Sequence, residues 1–439
     1  MESSRKNIFV FGSDDFNLSL IRALDTAGQY ELHSLFSYGE VKGGDEFPVK
    51  ALYEGALARL NAFPGTVDAI VGYWDFPVST LLPLLRAPFG LPSPSFESVL
   101  KCEHKYWSRL EQARVVPDHI PDFCVVDPFS EDYRQQISIP YPFWIKPVKA
   151  ASSYLGFNVH NDADLDHAIA QTRRGIARFS QPFNYLLQFA NLPEDIAPVD
   201  GNHCIVESMI SEGRQCTLEG YVHAGEMTVY GNVDSIREGK HHSSFSRYQY
   251  PSSIPHRVQN RMISVTEQFL SHIDFDNGPF NIEYYWNQNS DRIWLLEINT
   301  RISKSHCPLF LKVDGASHHK VMVETALGRK PDFPHRKGSF RVAAKFMWRV
   351  YGNARVKKVP SADQIAALQE RFLDADIQLH IKPGMALSDL KDQDSYSYEI
   401  AIIYMGADSQ KELLQKYRDV TNATGIELED LHSGRGYNP

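Results

Sequence analysis

Two apolar strands near the middle of the chain carry carboxylates on a regular pattern, and this restricts the fold more than any other feature. Residues 278–286 (GPFNIEYYW) and 292–299 (RIWLLEIN) flank the polar turn 287–291, which is the signal of an antiparallel pair. Side chains two apart on a strand share a face, so Glu297 and Asn299 point one way while Ile298 points into a core. If the strands are neighbours, Glu283 joins that face from the other one. Three oxygen donors, with the remaining positions left to water or phosphate oxygens, suit Mg²⁺, with Mn²⁺ as a substitute. Arg301, two residues further on, can reach a phosphate with its planar fork. A solvated sheet face would account for Glu283 alone. It does not account for Glu-x-Asn-x-Arg at the end of an apolar strand.

The chain has 439 residues, which exceeds one ordinary hydrophobic core, so two or three domains are expected. The opening run 8–12 (IFVFG), a polar loop and an apolar-periodic segment 18–27 read as strand, loop and helix of a parallel α/β unit. A second such strand, 68–73, ends in Trp74-Asp75-Phe76-Pro77, placed where open α/β sheets bind ligands. No GxGxxG follows either strand, so a dinucleotide site is not supported. The Pro- and Gly-rich stretch 87–94 reads as a linker, and a helix is expected over 99–113. Strands are expected at 123–126, 143–147, 157–159 and 203–210, and a helix at 162–174. A hairpin of 216–223 and 227–233 follows, then a helix at 257–272. Beyond Lys337 come strands near 340–348, 378–381 and 399–405, with helices near 362–372 and 409–421.

The formal net charge is -9 and no Lys/Arg-rich run is present, which argues against nucleic acid and anionic membranes as partners. The five cysteines show no CxxC spacing, which favours a reducing cytoplasm over a disulfide framework or a zinc site. No stretch approaches the length of a membrane span, and the N-terminal apolar run is too short for a signal peptide.

Lys146 ends the aromatic strand FWIKP beside the small-residue loop KAASSYLG (149–156). A lysine there can hold a phosphate as a point charge while the loop closes as a lid. Lys105, in EHKYW, is a weaker candidate of the same kind. The segment 234–255 is long, polar and aromatic, and is expected as an irregular loop. In it Arg237, His241, His242 and Arg247 are candidates for binding a substrate carboxylate, and Lys304 and His306 stand just beyond Arg301. His318-His319 read as a helix start.

Taken in order, Lys105 in EHKYW, Lys146 in FWIKP, Glu207 in IVESMI, Glu219 in TLEGYV, Glu283 and Glu297-Ile298-Asn299-Thr300-Arg301 resemble the ATP-grasp superfamily over about residues 1–333. The resemblance implies an α/β and α+β architecture in three parts. These are an N-terminal parallel α/β domain (1–95), a two-lobed nucleotide-binding core (96–335, lid lobe about 140–210) and a C-terminal α+β section (336–439). It implies ATP bound by Lys105 and Lys146, with Glu207 and Ile210 in the hinge beside the adenine, largely through backbone groups. Gln215 stands where many members carry a ribose-binding glutamate. Glu283, Glu297 and Asn299 would hold Mg²⁺ and Arg301 would stabilise the transferred phosphoryl group. The activity implied is a carbon–nitrogen ligase. It would join a small carboxylate to an amine through an acyl phosphate and release ADP and phosphate, in a homodimer. NTRISKSHCP is also similar to the corresponding stretch of biotin carboxylases, but Ser305 occupies the place of their basic glutamate. The alternatives are such a carboxylase and a non-catalytic ATP-binding module.

Overall fold

The computed structural model describes residues 5–431 and 436–437, apart from 45, 152–153, 211–212, 238–243, 392 and 394–396. Ser152, Ser153, His241 and His242 therefore lie outside the described residues.

The apolar run at the N-terminus forms β1 (Lys6–Ser13), which lies between β2 (Tyr30–Ser37) and β3 (Ala69–Val71) in a parallel sheet. Both faces of this sheet are covered, as its near-continuous hydrophobic composition requires. Phe9, Phe11 and Ile70 pack toward the helices Val49–Asn61 and Val78–Arg86, while Ile8, Val10 and Val71 pack toward the helix His319–Ala326. The first expected helix is shorter than its periodicity suggests. It runs Asp15–Arg22, capped by the Asp14 carboxylate, which accepts from the Asn17 N–H.

The next sheet has the order β4-β7-β5-β6, from β4 (Phe123–Val126), β5 (Phe143–Pro147), β6 (Phe157–Val159) and β7 (Cys204–Ser208). Its inner face, with Phe143, Ile145, Val159, Cys204 and Val206, packs on Leu165, Ala168 and Ile169 of the helix Asp162–Gly175. Alternation turns Lys146 and Glu207 to the other face.

Eight strands make the large sheet. They are β8 (Arg214–His223), β9 (Glu226–Arg237), β10 (Phe245–Tyr250), β11 (Gly278–Asn287), β12 (Arg292–Asn299), β13 (Val342–Val350), β15 (Asp376–Leu379) and β16 (Tyr398–Ala407), with β14 (Ala354–Lys358) left to a small sheet with β17 (Glu427–Asp430) and β18 (Gly436–Tyr437). The order is β12-β11-β8-β9-β10-β13-β16-β15, so the segment beyond residue 336 continues the same sheet through the β10–β13 pairing. The helix His256–His272 lays Val258, Met262, Val265 and Phe269, at helical spacing, on Cys216, Leu218, Ile282, Tyr284 and Leu295 of the sheet. The opposite face of β8, β11 and β12 is left for polar side chains.

One turn and one close approach in this sheet depend on glycine. The β8–β9 hairpin turns through Ala224 and Gly225, with φ of 50° and 78°, so Glu226 already belongs to the strand. At Gly220 a Cβ would lie 2.3 Å from Phe280 Cζ and 2.7 Å from the Thr228 carbonyl oxygen. Gly220→Ala is expected to cost about 1–3 kcal/mol by overpacking. The denaturation midpoint measures it.

Other elements depart from the sequence pattern. The expected helix 99–113 is two helices, Phe96–Glu103 and Lys105–Val115, because His104 leaves the helical conformation and caps the second through Nδ1 and the Trp107 N–H. The linker 87–94 begins with a short 3₁₀ turn, Ala87–Phe89, that ends on left-handed Gly90. Within 234–255, which the pattern reads as an irregular loop, residues 234–237 belong to β9 and 245–250 to β10, whose Tyr and Phe content suits strands, while 238–243 lie outside the described residues. The helices Val78–Arg86 and Ala177–Leu187 each contain an internal proline, Pro83 and Pro182, which hid them from pattern reading.

Candidate active site

The site face of the large sheet is built by alternation plus one irregularity. Glu283 lies opposite Glu297, and Asn281 opposite Asn299, in the β11–β12 register. A register shift between Glu283 and Tyr284 leaves Leu296 as an extra residue on β12. Before that bulge the odd residues Ile293 and Leu295 face the core. After it Ile298 does, and Glu297 and Asn299 are turned to the polar face. The bulge is what brings the three oxygen donors together.

Sequence reading missed the residue that holds this bulge. Arg109 is buried (4% exposed) and donates to the carbonyl oxygens of Leu295 (3.1 Å) and Leu296 (3.0 Å). Its Nε also donates to Glu207 Oε1 at 2.6 Å. It thereby ties β7 of one sheet to β12 of the other. Lys105 and Arg109 are four apart on the helix Lys105–Val115, which is the signal that could have revealed it.

Lys146 reaches the other oxygen of Glu207 at 2.7 Å. Burial alone would raise the Glu207 carboxyl, but Arg109 and Lys146 outweigh it and hold it down at about 2. Besides the role through backbone groups expected of Glu207, its side chain is the anion between two cations. Ile210, expected at the end of the strand 203–210, lies just beyond β7, which stops at Ser208, and is half-buried.

Lys105 donates to Glu297 at 2.8 Å and to the Ala150 carbonyl at 3.1 Å, which puts the second lysine candidate on the same carboxylate face. Burial raises Glu297, and the neighbouring Lys105 reverses that and lowers it overall. Glu283 goes the other way, raised by burial and by the charge of Glu297. Two half-buried carboxylates facing each other form a site suited to a cation. Asn299 donates to Asn281 Oδ1 at 2.9 Å, which leaves its own Oδ1 as the donor atom for a metal. Among the described residues no cluster of three or more His, Cys, Asp or Glu is poised for a metal. Two carboxylates and an amide fit an ion completed by phosphate oxygens.

Gln215 donates its amide to Glu283 at 2.9 Å and accepts from Arg237 at 3.1 Å. A glutamate there would set a third negative charge beside Glu283. Arg237 therefore stands at the edge of the carboxylate cluster. Arg247 does not project from a loop. It is buried within β10 (6% exposed), its guanidinium 5.7 Å from the Phe346 ring centre.

Arg301 donates to Asp75 at 2.5 Å, so the loop after β3 meets the end of β12. Beyond it, Lys304 lies 3.8 Å over the Trp74 ring, which stacks on Tyr38 at 3.7 Å. His306 is buried and shares a 2.7 Å hydrogen bond with fully buried Glu219, while His318 stands 3.6 Å from the other carboxylate oxygen. Burial raises Glu219 well above its usual range and lowers His306 well below its own. A second buried pair, Lys149–Glu103 at 2.6 Å, also escaped the sequence reading. It ties Lys149 to the end of the helix Phe96–Glu103, with Thr80 donating to the same carboxylate.

Residues 139–307 match the family model of the ATP-grasp domain. Over its length the fold is similar to that of the L-amino acid ligase from Bacillus licheniformis, with a TM-score of 0.67, 14% identity, 96% of this chain and 98% of that one covered. It is also similar to the biotin carboxylase–β,γ-ATP complex from Campylobacter jejuni, with a TM-score of 0.64, 13% identity and 96% and 92% covered. Among curated proteins, the C-terminal section of the carbamoyl phosphate synthase large chain from Methanopyrus kandleri is 26% identical over 140 residues, which is 31% of this chain. The match spans 26% of that relative's length. No helix among the described residues is long and apolar enough to cross a membrane.

Proposed function

The chain carries an ATP-grasp domain within an ATP-grasp fold, and from that premise we propose that it is an ATP- and Mg²⁺-dependent ligase joining a small carboxylate to an amine. The observation that carries this reading is the convergence of Glu283, Glu297 and Asn299 with Lys105 and Lys146 between two sheets. In this reading residues 1–95, 96–335 and 336–439 are its three parts.

Lys105 and Lys146 would fix the phosphates of ATP, with Ile210 beside the base and Gln215 beside the sugar. Glu283, Glu297 and Asn299 would hold Mg²⁺, which offsets the charge on the transferring phosphoryl group. A carboxylate oxygen of the acid attacks the γ-phosphorus and the bond to the ADP oxygen breaks. Arg301, oriented by Asp75, balances the charge that develops, so that catalysis is positioning and electrostatics. The amine nitrogen then attacks the acyl carbon, phosphate leaves, and the amine gives up a proton. In this reading the small-residue segment that begins at Lys149 would exclude water from the acyl phosphate. A carboxylase of the bicarbonate type needs a base beyond Arg301. Here Ser305 only accepts a hydrogen bond from Lys345 at 3.1 Å, which favours the ligase.

Hydroxylamine offered in place of the amine tests this directly. With ATP, Mg²⁺ and the acid, a hydroxamate should accumulate in step with ADP. ADP formation with bicarbonate alone and no hydroxamate would overturn the reading. Lys146→Met should raise the KM for ATP roughly tenfold, an effect of about 1.4 kcal/mol, with steady-state kinetics as the readout.

A further inference from the structure

The cations of this site are not evenly matched by anions. Lys105 has Glu297, Lys146 and Arg109 share Glu207, Lys149 has Glu103, and Arg301 has Asp75. Two lysines break the pattern. Lys345 on β13 is 8% exposed, and its ammonium donates to Ser305 Oγ and lies 5.7 Å from the Tyr248 ring centre. Lys304 is half-buried, with its ammonium on the Trp74 ring. Among the described residues neither has a carboxylate within 4 Å, and each is adjacent to Ser305 in sequence or space. Nearby acids do not fill the gap. Glu399 pairs with Arg349 and His380, Asp14 takes hydrogen bonds from Asn17 and Tyr73, and Glu219 is engaged by His306. Burial, and then the charge of Lys345, push Lys304 down to about 8.

Two neighbouring ammonium groups, one buried and one half-buried, with no carboxylate partner among the described residues, are costly unless a ligand supplies the counter-charge. The phosphates of ATP are not the source that the geometry favours. Lys105, Lys146 and Lys149 surround Glu297 on the metal side, whereas Lys304 feels Asp14, Asp75 and Arg301 on the side of the first sheet. Resting on the ligase reading, we propose that the acid substrate carries a second anionic group, a carboxylate not activated by ATP, held between Lys304 and Lys345 beside Ser305. Trp74 and Tyr38 form the wall next to Lys304. The substrate class is therefore a dicarboxylate.

The test is calorimetric titration of the full chain loaded with Mg²⁺ and a non-hydrolysable ATP analogue. Succinate and glutarate are compared with butyrate and valerate. The dianions should bind at least tenfold more tightly than the matched monoanions. Lys304→Met and Lys345→Met keep most of the stem and its packing. Each should weaken succinate at least tenfold while changing butyrate, and the affinity of the nucleotide analogue, less than twofold. Equal binding of dianion and monoanion by the unaltered protein, or binding of neither, overturns the proposal. So does a loss in the variants that falls on the nucleotide analogue instead, which would assign the lysines to the phosphates. Dianion selectivity without hydroxamate formation would uphold the anion site and remove the ligase reading alone.

Discussion

Glu297→Gln should lower kcat on the order of 10²–10³-fold while leaving the unfolding temperature within a few degrees. The substitution keeps the shape of the side chain and removes its charge. Lys105 then loses its carboxylate partner at 2.8 Å, but this pair is partly open to solvent, so its contribution to stability is small. The loss falls on the oxygen that faces Glu283 across the strand pair. Steady-state phosphate release and a melting curve on the same preparation separate the two effects. Unchanged turnover would remove the metal assignment from this face.

Arg109→Met should be the most destabilising single change at the site, at about 3–5 kcal/mol, because it breaks a buried ion pair from one side. Glu207 would keep only Lys146, and the carbonyl groups of Leu295 and Leu296 would lose their donor in a place with little water. The second consequence is geometric. Without its donor the bulge can relax, and a one-residue slip turns Glu297 toward the core. Activity should therefore fall more than the loss of folded protein explains. Denaturant titration gives the first quantity, and kcat per folded molecule gives the second. A variant as active per folded molecule as the unaltered protein would mean that the bulge holds without Arg109.

Much of this was legible in the chain because it rests on short-range rules. The period-two pattern placed Glu283, Glu297 and Asn299 on one face, and the register pairs them as expected. The aromatic strand put Lys146 on the same face as Glu207. What escaped depended on contacts far apart in sequence. The bulge at Leu296 is fixed by Arg109, 186 residues away from Leu295, and nothing local to RIWLLEIN announces it. The break at His104 depends on its ring reaching the Val199 carbonyl at 2.8 Å. Arg247 read as a loop cation because Ser, Tyr and Arg are polar in composition. Its burial follows only once β10 is seen between β9 and β13. Lys345 sat in a plain apolar strand, and its meaning came from the arrival of Ser305.

The central claim is that this site couples ATP cleavage to the joining of an acid and an amine. Phosphate release from ATP and Mg²⁺, measured across acids and amines offered singly and in pairs with bicarbonate alongside, tests it most directly. The account predicts release only where a particular acid meets a particular amine, with a product heavier than either by their condensation. Release with bicarbonate alone, or at the same rate whether or not an amine is present, would contradict it.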